Sequence, residues 1–158
     1  MKLQRFRPIA FAILSLHFVL AIGFLGCASI QMIGQYDQKI DDGITNLQKA
    51  TADFFTTIER QGGSKPEDYK THAKFYDNTK VALSGLIVRA NAVSLNKLTA
   101  KELDNLSKQY QALEMQDQKF GIKQAEIPQL ESAYNRAFTA LFTLEVAKKV
   151  PSSQGASK

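Results

Sequence analysis

The side chains with the greatest chemical potential in this sequence are few and scattered. There is one cysteine, Cys27, and beyond the first 26 residues a single histidine, His72. A zinc site needs several nitrogen or sulfur ligands, and a di-iron site in a helical bundle needs Glu-x-x-His pairs from two helices. Neither set is present, so no metal site is expected. Nucleophilic catalysis lacks a signature as well, because no Gly-x-Ser-x-Gly elbow occurs and Cys27 sits at the junction of an apolar leader. Gln61-Gly62-Gly63-Ser64 is too short for a phosphate-cradling loop and reads as a turn between helices. Asp41 and Asp42 are adjacent, which on a helix points them about 100° apart, a solvated first turn and not a carboxylate pair.

Two polar positions remain. His72 falls on an apolar stripe, where it serves either as a base or pH sensor or as a part-buried ring hydrogen-bonded to a neighbouring helix; the second reading needs no missing partner. Arg89 stands inside the apolar run Leu86-Ile87-Val88-Arg89-Ala90, where a charge must reach solvent or find a carboxylate. It marks a ligand or protein contact, or a structural ion pair. No catalytic, cofactor-binding or metal-ligating residue is assigned; His72 and Arg89 are kept as interaction or structural polar positions.

Net charge narrows the partners. The chain carries 20 basic and 15 acidic residues, but Lys2, Arg5 and Arg7 all precede the apolar leader, which leaves 17 basic residues beyond it. Lys148, Lys149 and Lys158 crowd the C-terminal end. The remaining body is near neutral, without the clustered basic face that nucleic acid demands.

The leader itself is informative. Three positive charges within residues 1–8 precede an apolar run over residues 9–25, the layout of a secretory signal. The run ends in Phe24-Leu25-Gly26-Cys27-Ala28-Ser29, which resembles the cleavage box of bacterial lipoproteins. That resemblance implies diacylglycerol on the Cys27 thiol, cleavage before it and acylation of the new amine. Phe24 stands where such boxes usually carry Leu, and Leu25 is bulkier than the usual small residue. Ala28 in place of Asp resembles lipoproteins sorted to the outer membrane. Two alternatives remain open: an uncleaved membrane helix, since the run is at the short end of the roughly 17–25 residues a span needs, and simple cleaved secretion. All three place the body outside the cytoplasm.

Four helical segments must then carry everything else. Over residues 35–61, Ile40, Ile44, Leu47, Thr51, Phe54 and Ile58 recur at steps of four and three, the stripe of a helix packed along its length. Ser64-Lys65-Pro66-Glu67 predicts a capping box opening a second helix, with Tyr69, His72, Tyr76, Thr79, Leu83, Leu86, Ala90 and Val93 on one face. Thr99-Ala100-Lys101-Glu102 predicts another box, followed by Leu103, Leu106, Tyr110, Leu113 and Phe120, with Asp117 interrupting the stripe. A last helix begins near residues 124–128, on which Ile127, Leu130, Tyr134, Ala137, Leu141 and Leu144 share a face broadened by Phe138 and Phe142. The expected fold is all-α, an up-down-up-down four-helix bundle. The organisation read from the chain is a signal peptide over 1–26, a lipidated N-terminus and tether over 27–34, the bundle over 35–150 and a disordered tail over 151–158.

The body motifs Tyr36-Asp37, Asp41-x-Gly43, Phe75-Tyr76, Leu86-x-x-Arg89-Ala90-x-Ala92 and Leu144-Glu145-x-Ala147-Lys148-Lys149 resemble a group of small proteobacterial lipoproteins. The resemblance covers most of the chain beyond the leader and implies a lipid anchor and a helical body; it carries no activity with it. The expectation is a non-enzymatic envelope lipoprotein, without cofactor, that meets another envelope protein or the cell wall while held to the membrane through lipid on Cys27. The rival is a small-ligand carrier or enzyme using a pocket between helices lined by Tyr69, His72, Tyr76, Tyr110 and Tyr134.

Overall fold

The computed structural model describes residues 34–149. The leader, Cys27 and the tail over 151–158 lie outside the described residues. Within them the chain forms four helices of nearly equal length: α1 (Gln38–Arg60), α2 (Tyr69–Ala92), α3 (Lys97–Phe120) and α4 (Ile127–Lys149). Each packs on its neighbour in sequence, and α1 packs on α4 to close the ring. This is the all-α four-helix bundle that the apolar stripes require.

The stripes meet in one core. Ile40, Ile44, Leu47, Phe54, Phe55 and Ile58 of α1 are buried against Tyr76, Leu83, Leu86 and Ala90 of α2 and their counterparts on α3 and α4. Aromatic rings fill its middle: Phe54 stacks on Phe75 with centroids 4.0 Å apart, and Tyr110 lies 4.8 Å from Tyr134.

The helix starts differ from the sequence expectation. Asp37 is the cap of α1, its carboxylate accepting from the Lys39 N–H at 2.9 Å, so the helix begins at Gln38. Ser64 caps nothing. A 3₁₀ turn, Pro66–Asp68, precedes α2, and Asp68, not Glu67, takes the N–H of Lys65 at 2.8 Å. α3 starts at Lys97, so Thr99 already lies in its first turn and not at its cap. In both places the hydroxyl expected to serve its own helix is used across the bundle.

Two stripe positions are corrected too. Phe120 is 72% exposed, because α3 ends there and the chain turns inward so that Ile122 fills that end of the core. Leu144 is only half-buried, and Glu145 takes the innermost place on the last turns of α4. Pro128 falls in the first turn of α4, where its missing N–H costs nothing.

The α1–α2 and α3–α4 turns are tied together. Ser64 N–H donates to the Ile122 carbonyl at 2.7 Å, Ile122 N–H donates to Ser64 Oγ at 2.8 Å, and Gly63 bridges Lys123. Gly121 holds a left-handed φ of 70°, and a Cβ there would sit 2.1 Å from the Ser64 carbonyl. Gly85, in the middle of α2, is the opposite case: a Cβ there would meet nothing within 4 Å. Gly121→Ala should therefore lose more than about 1 kcal/mol, whereas Gly85→Ala should gain roughly 0.5–1 kcal/mol from helix propensity. Urea unfolding of the two variants checks both signs.

Candidate functional site

The buried polar groups form three tiers along the bundle axis. The first surrounds Asp117, fully buried on α3. Its Oδ1 accepts from Ser64 Oγ at 2.7 Å; its Oδ2 accepts from the Tyr76 hydroxyl at 3.0 Å and from the His72 ring N–H at Nδ1 at 2.7 Å. One carboxylate thus joins α2, α3 and the α1–α2 turn. The backbone continues the network, since the Gly121 N–H donates to the Asp117 carbonyl.

Serine, histidine and aspartate together invite comparison with a hydrolytic triad, but the order is wrong. In such a triad the histidine stands between serine and acid, so that it can take the serine proton. Here the acid stands in the middle, and Ser64 Oγ already accepts the Ile122 N–H. His72 is held on its other side by aromatic packing, with the Phe54 ring edge-on at 5.4 Å, and its Nε2 is buried without a hydrogen-bond partner among the described residues. The geometry gives His72 a structural place: it fastens α2 to α3.

The second tier lies mid-bundle. Thr51 and Tyr110 share a hydrogen bond across the core, and Thr51 also donates to the Leu47 carbonyl at 2.7 Å. Burial holds the Tyr76, Tyr110 and Tyr134 phenols well above the ordinary tyrosine range, so all three stay neutral; Tyr76 and Tyr110 hydrogen-bond, while the buried Tyr134 hydroxyl has no partner among the described residues. The rival reading, a carrier or enzyme, placed these tyrosines together with Tyr69 and His72 around a pocket. Instead their rings close on one another: Phe75 lies 6.0 Å from Tyr110, Tyr69 lies 6.0 Å from Tyr76, and Phe55 lies 5.6 Å from Tyr134. Tyr69 alone is half-buried, donating at 3.0 Å to Glu114, which also pairs with Lys80.

The third tier is at the opposite end. Glu145 and the Lys148 side chain are both buried on α4 and pair at 2.5 Å. Lys148 Nζ also donates to Asn96 Oδ1 at 2.5 Å and Thr99 Oγ1 at 2.8 Å, while Thr99 donates to Glu145 Oε1 at 3.1 Å. This pair was not anticipated. Its signal in the sequence is a charge lying on the apolar register of Tyr134, Phe138 and Leu141, as Asp117 lies on that of Leu106, Tyr110 and Leu113.

Arg89 is paired, its Nε 2.7 Å from Asp37 Oδ2. Asp37 is pulled up by burial, but Arg89 and the Lys39 N–H outweigh this and lower its pKa. Asp41, expected to be simply solvated, bonds Lys149 at 2.7 Å and Tyr36 at 2.8 Å. The Lys149 bond lowers the Asp41 pKa against its burial. Among the described residues no group of three His, Cys, Asp or Glu side chains converges as a metal site would. No protein-family model, curated protein or solved structure matches the chain.

Asp117→Ala should cost about 3 kcal/mol or more, since two buried donors, His72 and Tyr76, and the part-buried Ser64 lose their acceptor; Tyr76→Phe removes one of those bonds and should cost about 1 kcal/mol. Chemical unfolding ranks the two. Asp37 and Asp41 contribute to acid stability. Because their folded pKa values are depressed, the unfolded chain takes up protons first. Stability present above the ordinary carboxylate value near ~3.9 is therefore lost as pH falls through the folded values. Between about pH 5 and pH 3 the thermal midpoint should fall further in the wild type than in the Asp37→Asn/Asp41→Asn double variant, read by circular dichroism.

Proposed function

We propose that the protein is a membrane-tethered envelope lipoprotein whose bundle is a non-enzymatic interaction module, held by lipid on Cys27 and meeting an envelope protein. The observation that carries the interaction reading is Leu95. It is a non-glycine residue with φ of 63°, in the left-handed region, and its side chain is 51% exposed. A leucine there forgoes both the backbone freedom of glycine and the gain of burial. Strain kept without a packing return points to a use outside the domain. Leu98 and Val146 are exposed as well, and both lie beside the Asn96–Thr99–Glu145–Lys148 tier, at the same end as Leu95. An apolar surface of this kind suits a protein partner better than a polar cell-wall polymer.

The tether reading rests on the leader and on reach. Gly34 is fixed to this end by its N–H, which donates to the Leu95 carbonyl at 3.1 Å. Cys27 is seven residues earlier, so an extended chain spans at most about 25 Å. Two or three acyl chains at Cys27 give a stable anchor, where one alone is marginal. Tethering confines the bundle to a thin layer and raises its effective concentration towards partners there. The core polar groups support a role without catalysis, since Asp117 takes the Ser64 hydroxyl and the His72 Nδ1 N–H in bonds that join elements of the bundle. Among the described residues no helix is long and apolar enough to cross a membrane.

Two measurements test this. The intact mass of membrane-extracted protein should equal residues 27–158 plus diacylglycerol and an amide-linked acyl chain, and Cys27→Ser should release the chain from the membrane or leave the leader uncut. A mass equal to the unmodified full chain would defeat the anchor. A photocrosslinking residue at position 95 or 98 should give a discrete protein adduct in intact envelopes. The same residue at Ala112, exposed on α3, should not; equal adducts at all three positions would defeat the interface.

A further inference from the structure

Between α1 and α2 runs an apolar groove of about 450 Å³. It begins where the two helices pinch together, Gly43 lying so close to Leu86 that a Cβ would be 2.5 Å from the leucine methyl. It ends at Phe75, which stacks on Phe54. From Gly43 to Phe54, α1 rises about 16 Å, which sets the groove's length. Its apolar lining includes Leu47, Ala50, Val81 and Ala82, beside the polar Asn46, Asn78 and Thr79.

Two features separate this groove from an accidental crease. Val81 is 74% exposed and Val88 68%, so α2 carries a second apolar stripe on the side away from the core. Gly85 lies on that stripe with open space where a side chain would stand, at a cost in helix propensity that no contact within the bundle explains.

The head of the groove carries one guanidinium, that of Arg89, already paired on its Nε side with Asp37. The terminal nitrogens donate to no partner among the described residues, and the side chain is 41% exposed. Their fork is the geometry that grips a carboxylate with two parallel hydrogen bonds, and the Asp37 contact fixes its orientation beforehand.

We propose that this groove binds the single acyl chain of a free fatty acid, its carboxylate on Arg89 and its tail lying over Gly85 towards Phe75. The site is distinct from the Leu95 end and stands whether or not Cys27 carries lipid.

The test uses the full-length chain in phosphatidylcholine vesicles, with dodecanoic acid bearing a diazirine near its chain end as photoprobe. Adducts should map to α1 and α2 peptides lining the groove, and dodecanoate should compete for them better than dodecanol. Arg89→Gln should lower labelling about tenfold, the equivalent of one charge-assisted contact. Gly85→Leu, which fills an open surface position, should abolish labelling with helix content unchanged. Labelling spread evenly over α3 and α4, labelling that survives Gly85→Leu, or equal competition by the alcohol would each overturn the site. So would crosslinks joining the α2 stripes of two copies, which would make the groove a self-interface.

Discussion

A carboxylate that leaves water must be met by donors, and this bundle buries two of them at opposite ends. Asp117 and Glu145 are both fully buried, and an unmatched charge in such surroundings costs several kcal/mol. Each therefore dictates the placement of the elements around it. Asp117 requires Ser64, His72 and Tyr76 to arrive from the α1–α2 turn and from α2. Glu145 requires Thr99 and Lys148, and Lys148 in turn requires Asn96 in the α2–α3 turn. Apolar stripes alone let helices slide by a turn at little loss, because one leucine replaces another. With a carboxylate near each end, a slide of one turn orphans both sets of donors, so the polar tiers fix the register that the hydrocarbon leaves loose.

The apolar half of this plan was plain in the sequence. Ile40, Ile44, Leu47, Phe54 and Ile58 on one helix, and Leu103, Leu106, Tyr110 and Leu113 on another, state their helix and its inward face through periodicity alone, since a 3.6-residue repeat admits no other placement. The polar half was legible only as an anomaly. Asp117 reads as an interruption because sequence order cannot say that Ser64, 53 residues away, will supply a proton to it. Ser64 and Thr99 mislead for a related reason. Local rules assign a hydroxyl before a helix to capping, but a buried carboxylate within reach is the better acceptor, and the tertiary contact wins. Phe120 misled by being periodic one step too far, past the point where Gly121 turns the chain.

His72 shows how tertiary position decides between readings of one residue. A histidine on an apolar stripe is chemically versatile until its neighbours are known. Pinned by Asp117 at Nδ1 and edge-on to Phe54, it is buried and ties α2 to α3. The same holds for the tyrosines, whose rings fill the volume that a pocket would need. Residue types associated with catalysis have here been drawn into holding the helices together.

What remains for function is then a matter of where the bundle tolerates loss. A helix under selection for stability alone would carry alanine at position 85 and polar side chains at 81 and 88. A turn under the same selection would carry glycine or asparagine at 95, where φ is positive. The sequence instead keeps Gly85, Val81, Val88 and Leu95, and each departs from what the fold asks in the same sense, leaving apolar surface or open space facing outwards. These four lie on one helix and the turn that follows it, while Leu98, Met115 and Phe120 of α3 and Val146 of α4 are exposed as well. α2 therefore has two apolar faces: one is closed into the core by Tyr76, Leu83 and Leu86, and the other leaves Val81, Gly85 and Val88 facing outwards, which is the surface the proposed groove site draws on.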